Sequence, residues 1–190
     1  MVVALALAGL SAGAALAPAH GAGVQRYANA LTPLLDAAGG KPIGSLGPGA
    51  AVDVIGQAGA ATEVAVHGWS AASAPGTVFA APGQAIQAVS GFAGQAAPGA
   101  TQTVGGATYT AVTVQGWVPT AALADDVQTV WTSASDLYAK SCSSCHALSQ
   151  PTAYTAAQWP GIMATQADNA GLDEGQAALI TAYLQAHAAP

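Results

Sequence analysis

The stretch SASDLYAKSCSSCH, residues 133–146, decides how the second half of the chain is interpreted. Ser133 or Ser135 is in position to cap a helix that runs toward the cysteines. Side chains recur within it at the spacing of one helical face: Leu137, Tyr138, Ser141, Cys142 and Cys145. Because residues three apart lie on the same side of a helix, the stretch predicts a helix that presents two thiols together.

Cys142-Ser143-Ser144-Cys145-His146 is a C-x-x-C-H motif, which is the attachment signature of c-type haem. Two thiols on one side of a helical turn can form thioethers with the two haem vinyl groups. The imidazole that follows is then in position to bind the iron. The motif therefore predicts one covalently bound haem c, held by Cys142 and Cys145 with His146 as an iron ligand.

Two other uses of a C-x-x-C pair compete with haem. A disulfide or redox dithiol of the thioredoxin kind needs a βαβ setting, which the surrounding pattern does not show. A structural zinc site needs two further Cys or His ligands at paired spacing, and the sequence contains two cysteines in all. Haem attachment is the interpretation that the helical surroundings favour.

The second iron ligand is less constrained by the sequence. Met163, 17 residues after His146, is the favoured candidate, because its thioether could bind the iron and would raise the reduction potential; a core methionine filling a gap is the alternative. His187 is another candidate, but at the end of the last helix it can simply interact with the helix dipole. An open site is the third possibility. Trp159 and Tyr154 are predicted to wall the haem pocket.

Charge excludes some functions. The 190 residues include three Lys or Arg and nine Asp or Glu, giving a net charge of −6. Three basic residues are too few to neutralise a phosphate backbone. Nucleic acid is therefore excluded as a partner. Any partner steered over long distances is expected to present a positive patch.

Residues 1–22 read as a secretory signal peptide. They are apolar and rich in small residues, and Ala17-Pro18-Ala19 matches an A-x-A cleavage site. An uncleaved membrane anchor is the alternative, since the run approaches the length that spans a bilayer. Either way the rest of the chain is expected in the periplasm, touching the membrane only through a partner or this segment.

Residues 23–126 are predicted to form a β-rich, SH3-like region that begins with a short helix over 24–40. Beyond residue 41, alternating apolar and polar residues between Gly-rich turns indicate short antiparallel strands. The run 62–69 matches 110–117, each ending in Gly-Trp, which suggests a duplicated unit. The predicted fold class is mixed and in two parts: a small all-β domain, single or duplicated, followed by an all-α cytochrome c-like domain at 127–190.

Residues 43–188 resemble the C-terminal part of the pentahaem c-type cytochromes of trimethylamine N-oxide and dimethyl sulfoxide respiration. The most specific pieces are LYAKSCSSCHAL, Gln158-Trp159-Pro160 and the tail ALITAYLQAHA. The resemblance implies a monohaem domain that receives electrons from a multihaem, quinol-oxidising cytochrome and passes them to a periplasmic molybdenum reductase. The chain lacks the family's tetrahaem domain. It also has Gln166 where the family often has methionine, with Met163 on the same helical face.

The sequence thus predicts an electron carrier of anaerobic respiration rather than an enzyme. A haem sensor or peroxidase-like protein with an open distal site is the alternative. That function would need an acid and base pair near Met163, and no His or Arg stands out there. A third possibility makes the β region the functional part, although a spacer and docking surface is its plainer role.

Overall fold

The computed structural model describes residues 23–189, so the segment 1–22 lies outside the described part. The strands are β1 (Val24–Ala28), β2 (Thr32–Leu35), β3 (Pro42–Leu46), β4 (Ala51–Ala58), β5 (Ala61–Ala71), β6 (Val78–Phe79), β7 (Gln87–Ser90), β8 (Ala96–Val104), β9 (Ala107–Pro119) and β10 (Leu123–Ala124). The helices are α1 (Val127–Cys142), α2 (Trp159–Asn169) and α3 (Glu174–Ala186), with short 3-10 turns at Thr120–Ala122 and Pro151–Ala153.

Six of the strands in residues 23–189 close into a barrel. β5 and β9 pair antiparallel from Ala61↔Pro119 to Ala71↔Tyr109, and the circuit returns through β6, β7, β3 and β2. Beyond it, β4, β1 and β10 extend the sheet from β5, while β8 extends it from β9. The two matching Gly-Trp runs are therefore neighbours in a single sheet.

The barrel interior is formed by the apolar residues that alternate with polar or small ones along the strands. Val64 and Val66 of β5 and Val112 and Val114 of β9 are buried in one cluster, because alternate residues of a strand face the same side. Burying a valine completely stabilises the fold by about 1.5–3 kcal/mol relative to leaving it exposed. The barrel is thus held by small β-branched side chains from paired strands.

A polar row crosses three strands. Asp53 of β4 is 1% exposed, and its Oδ2 lies 3.3 Å from Nε2 of His67 on β5. The other ring nitrogen of His67, Nδ1, lies 2.9 Å from Oγ1 of Thr113 on β9. The imidazole therefore links a buried carboxylate to a hydroxyl across the sheet.

The helices begin at identifiable caps. The Asp126 side chain accepts a hydrogen bond from the Gln128 backbone N–H at 2.9 Å, so α1 begins well before the predicted caps Ser133 and Ser135. Pro160 sits in the first turn of α2, where its missing N–H costs nothing. No helix in the described residues is long and apolar enough to cross a bilayer.

The helices pack directly on the strands. The indole of Trp131 on α1 covers Gly49, leaving no room there for a Cβ atom. Gln185 of α3 donates from Nε2 to the carbonyl of Ala156 at 2.9 Å and to that of Ala85 at 3.4 Å. The strand and helix parts are therefore in direct contact at Gly49, and one side-chain hydrogen bond, from Gln185 to Ala85, joins them.

The predicted fold class, an all-β SH3-like domain followed by an all-α domain, is wrong. The fold is mostly β, a six-stranded barrel with extra strands, and three helices pack on it. The helix predicted over 24–40 is also wrong, since that segment contains β1 and β2. Thr32 and Leu34 are buried and Pro33 is exposed, which is strand alternation, and Pro33 lacks the N–H that a helix interior needs.

Candidate functional site

A cavity of about 460 Å³ opens in the helical part of the fold. Its size falls within the range usual for small-molecule and cofactor sites. It is lined by Tyr138, Ser141, Cys142, Ser144, Cys145, His146, Ser149, Tyr154, Trp159, Ile162, Met163, Gln166, Asn169 and Ala170. The structure thus brings together every residue predicted to bind haem: Cys142, Cys145, His146, Tyr154, Trp159 and Met163.

The two cysteines lie at the end of α1 and in the turn that follows. Both are free thiols, with Cys142 half-buried and Cys145 exposed. Burial raises the pKa of the Cys142 thiol, and the neighbouring Cys145 raises it further.

His146 follows the second thiol and is exposed at the cavity. Its Nδ1 lies 2.8 Å from the carbonyl oxygen of Ala147. In the tautomer that donates this hydrogen bond, the proton is on Nδ1 and the lone pair of Nε2 is available to a metal. A backbone partner of this kind commonly fixes the orientation of a metal-binding histidine.

Another part of the cavity wall is built by α2 and the turn before it. Trp159 is 1% exposed, and its Nε1 donates to the carbonyl of Pro151 at 2.9 Å. The ring of Tyr154 meets the Trp159 ring edge-on, with centroids 4.9 Å apart and planes at 82°. Met163, one turn further along α2, is buried at 3% exposure. These contacts give the wall fixed aromatic and thioether surfaces.

Met163 also borders a second cavity, of about 580 Å³, between the helices and the barrel. Ala164 and Thr181 line it from α2 and α3, and Ile86 and Gln87 line it from the strand side. Met163 is therefore a shared wall of the two cavities.

Some cavity residues were not predicted. Tyr138 is 8% exposed, and its hydroxyl donates to the carbonyl of Ser149 at 2.9 Å. Burial raises the pKa of Tyr138, and Cys142 adds to the effect. Its position four residues before Cys142 places both on one helical face, a signal that the sequence contained. Gln166 and Asn169 continue the face of Met163 along α2.

His187, the alternative iron ligand, does not line the cavity. It ends α3, where its Nδ1 lies 2.8 Å from the carbonyl of Tyr183. Its ring meets Trp131 edge-on, with centroids 5.8 Å apart. The structure therefore places His187 in the packing of α3 against α1.

Two family models match the chain. Residues 21–123, more than half of the sequence, match the model described as TorC third cytochrome c domain. The chain belongs to the TorC-type cytochromes c. Residues 138–190 of this TorC-type chain match the model described as dihaem cytochrome c. No curated protein and no solved structure shows significant similarity to it.

Membership of the TorC-type cytochromes c implies covalent haem and a role in electron transfer. The TorC-type match over 21–123 contains no cysteine, whereas the match over 138–190 contains the C-x-x-C-H motif. Thioether attachment in this chain can therefore take place only in the second region.

The residues that line the cavity are chemically suited to a covalently bound haem. Two unpaired thiols, an imidazole and a thioether line a single space, and they are the side chains from which c-type haem sites are made. The remaining wall is aromatic, aliphatic or neutral and polar. Within the described residues, no cluster of three or more His, Cys, Asp or Glu forms a competing metal site.

Proposed function

We propose that the chain is an exported, monohaem c-type cytochrome that carries electrons one at a time. The observation that supports this most directly is the convergence of Cys142, Cys145, His146 and Met163 on one cavity. These residues come from the end of α1, the following turn and α2, so their meeting is a property of the fold and not only of the motif.

Each residue has a role in this proposal. Cys142 and Cys145 would hold the haem through thioethers, and His146 and Met163 would be ligands of its iron. Bound haem supplies a ferric–ferrous couple, and His/Met ligation raises the reduction potential of such a couple. Trp159, fixed by its bond to Pro151, excludes water from the Met163 side.

One haem is proposed because the sequence contains a single C-x-x-C-H motif. The accompanying domain organisation assigns 1–22 to a signal peptide or anchor, 23–126 to the β region and 127–190 to the haem-binding part. The cap of α1 at Asp126 supports the second boundary.

The proposed location is the periplasm, and the proposed partners are redox proteins. A multihaem, quinol-oxidising cytochrome would donate electrons, and a molybdenum reductase of N-oxides or S-oxides would accept them. The TorC-type match over 21–123 supports this respiratory setting. The β region would then be a spacer and docking surface between redox proteins.

The proposal is tested by exporting the full chain in a host that attaches c-type haem. The protein is expected to be coloured and to exceed the mass of the polypeptide by one haem. Cys142→Ala should weaken attachment, whereas Ser143→Ala, the neighbouring control, should not. A colourless preparation with the mass of the bare polypeptide would refute the proposal.

The respiratory role is tested with the reduced holoprotein. It should be reoxidised when a molybdenum N-oxide reductase and trimethylamine N-oxide are added together, and not by either alone. Absence of reoxidation with N-oxide and S-oxide reductases would refute the proposed acceptor while leaving the haem assignment intact.

A second candidate is a haem protein with an open distal site. Gln166 and Asn169 line the cavity beside Met163, and their amides could donate hydrogen bonds to a small ligand. The cavity lining includes no Asp, Glu, Lys or Arg, so it offers little for peroxidase chemistry. Rapid carbon monoxide binding by the reduced protein would favour this candidate over the electron carrier.

A further inference from the structure

The two ends of the sheet differ in how they are protected. Among the described strands, β10 and β8 stand at the two ends of the strand order. β10 has two residues and is followed at once by Asp125, which forms an ion pair with Arg26. Short strands and charges are usual means by which a sheet edge avoids pairing with another chain. β8, by contrast, has nine residues, most of them exposed.

Half of the β8 edge lacks any such protection. Residues 64–124 include no Asp, Glu, Lys or Arg, so no charge guards the strand. The first half of β8 contains Pro98, and its pairing with β9 shifts between Pro98 and Thr101, which is a bulge. Both features hinder the addition of another strand. Residues 101–104, which pair regularly with 107–110 of β9, contain neither feature, and we call them the open edge.

A tight hairpin turn fixes the direction of the backbone groups in the open edge. Val104 pairs with Ala107 across Gly105-Gly106, whose φ angles of +58° and +81° are those of a type I′ turn. In a two-residue hairpin the residues that flank the turn form a hydrogen-bonded pair, and such pairs alternate along the strands. The N–H and C=O groups of Thr101 and Thr103 therefore point away from β9. Both residues are exposed.

We propose that the open edge pairs antiparallel with the open edge of a second copy of the chain. A two-fold axis would place Gln102 opposite its own counterpart, and Thr101 of each copy opposite Thr103 of the other. Both threonines direct their backbone groups outward, so this register provides four backbone hydrogen bonds between the copies. A shift of one residue would place outward groups opposite groups that already face β9.

The chemistry of the open edge suits a second copy as the occupant. Identical charged edges would bring like charges together, which destabilises a strand pair, whereas this edge is neutral in a chain of net charge −6. Thr101 and Thr103 would lie opposite each other, and threonine pairs stabilise neighbouring strands. A two-fold contact uses the same patch on both copies and so closes at two. The predicted assembly is therefore a dimer and not a fibre.

The dimer is tested by sedimentation equilibrium of the purified full-length protein at concentrations up to about 2 mM. A contact of a few residues per copy belongs to the weak, transient class, so a dissociation constant of about 0.01–1 mM is expected. NMR spectra over the same concentrations should show hydrogen exchange slowing at the amides of Thr101 and Thr103 as the dimer forms.

Variants locate the contact. Gln102→Lys brings like charges together on the axis and should raise the dissociation constant about fivefold. Gln57→Lys, at an exposed position of β4, makes the same change in net charge and should dimerise as the parent does. Thr103→Pro removes an outward N–H and should abolish the dimer, whereas Thr103→Val keeps that N–H and should not.

Several outcomes would overturn the inference. A parent that stays monomeric at 2 mM has no such contact, and equal dissociation constants for Gln102→Lys and Gln57→Lys would show that the copies meet elsewhere. Species that grow beyond the dimer would contradict closure by a two-fold axis. Urea unfolding shows whether each variant is folded, and Gln102→Lys decides if Thr103→Pro is not. The contact lies in the β region, so its failure would leave the proposed haem chemistry standing.

Discussion

Trp131 of α1 lies so close over Gly49, in the turn before β4, that a Cβ atom on residue 49 would overlap the indole. Gly49 also has a φ of +76°, in the left-handed region that favours glycine. Two independent constraints, one from backbone and one from packing, therefore act on this residue.

Gly49→Ala is expected to destabilise the fold by about 2–4 kcal/mol, because left-handed strain and overpacking both contribute. Urea unfolding of parent and variant measures the difference. Gly59→Ala is the matched control: its φ is +60°, but no atom lies within 4 Å of the position that an alanine Cβ would take, so about 1–2 kcal/mol is expected. Equal losses in the two variants would show that Trp131 does not restrict residue 49.

Met163→Leu separates ligation from packing. Leucine has nearly the same volume as methionine, so Met163→Leu should lower the free energy of unfolding by less than about 1.5 kcal/mol. Met163→Ala should lower it by about 2–5 kcal/mol. If the thioether binds iron, Met163→Leu should lose the methionine-to-iron charge-transfer band and its reduction potential should fall. A band that survives in Met163→Leu would exclude Met163 as the ligand.

The Asp53–His67 pair is expected to matter for stability rather than for electron transfer. His67→Ala removes a partner of a buried carboxylate and should cost about 2–3 kcal/mol. The double variant Asp53→Asn/His67→Ala should recover part of this loss, since it leaves no buried charge. Additive losses in chemical denaturation would contradict an interaction between the two side chains.

Tyr138 gives a prediction at alkaline pH. Its pKa is raised in the folded state by burial, so the phenol loses its proton more readily when the chain unfolds. Its contribution to stability is therefore complete below the ordinary tyrosine pKa of about 10, and it is lost as pH rises through the higher folded value. Tyr138→Phe should show a weaker loss of stability above that pH than the parent.

Tyr27→Phe is the control for this experiment, because the Tyr27 hydroxyl also donates a hydrogen bond, to Gln25 at 2.8 Å, but Tyr27 does not line the cavity. At neutral pH, Tyr138→Phe should itself cost about 1 kcal/mol through its lost bond to Ser149. If the stability of Tyr138→Phe fell with rising pH as steeply as that of the parent, another group would be responsible for the alkaline loss.

Local features of the site could be predicted from the sequence, whereas closure of the barrel could not. The C-x-x-C-H motif identifies the thiols and the imidazole of the site, although α1 ends at Cys142 and Cys145 lies in the turn that follows; Tyr138 lies on the same helical face as Cys142. By contrast, a helix is the wrong prediction for Thr32-Pro33-Leu34, because strand pairing with β3 and β9 depends on residues far away in sequence.

The presence of Met163 and the thiols at one cavity likewise depends on how α1 and α2 each pack against α3, which no local pattern specifies. The two matching Gly-Trp runs both form strands, β5 and β9. They pair directly as antiparallel neighbours, with Val66 opposite Val114, a relation that the match between the two runs does not specify.

Met163 also has a consequence for how the β region can act. Its side chain lines the cavity that faces Ile86 and Gln87 as well as the cavity that faces the thiols. A shift of this one side chain therefore changes the volume of both cavities. The cavity facing Ile86 and Gln87 is lined by neither His146 nor the cysteines, so a group that filled it could meet Met163 without contacting those residues. The space between the helices and the barrel is thus a second approach to the proposed iron ligand, from the side away from the attachment residues.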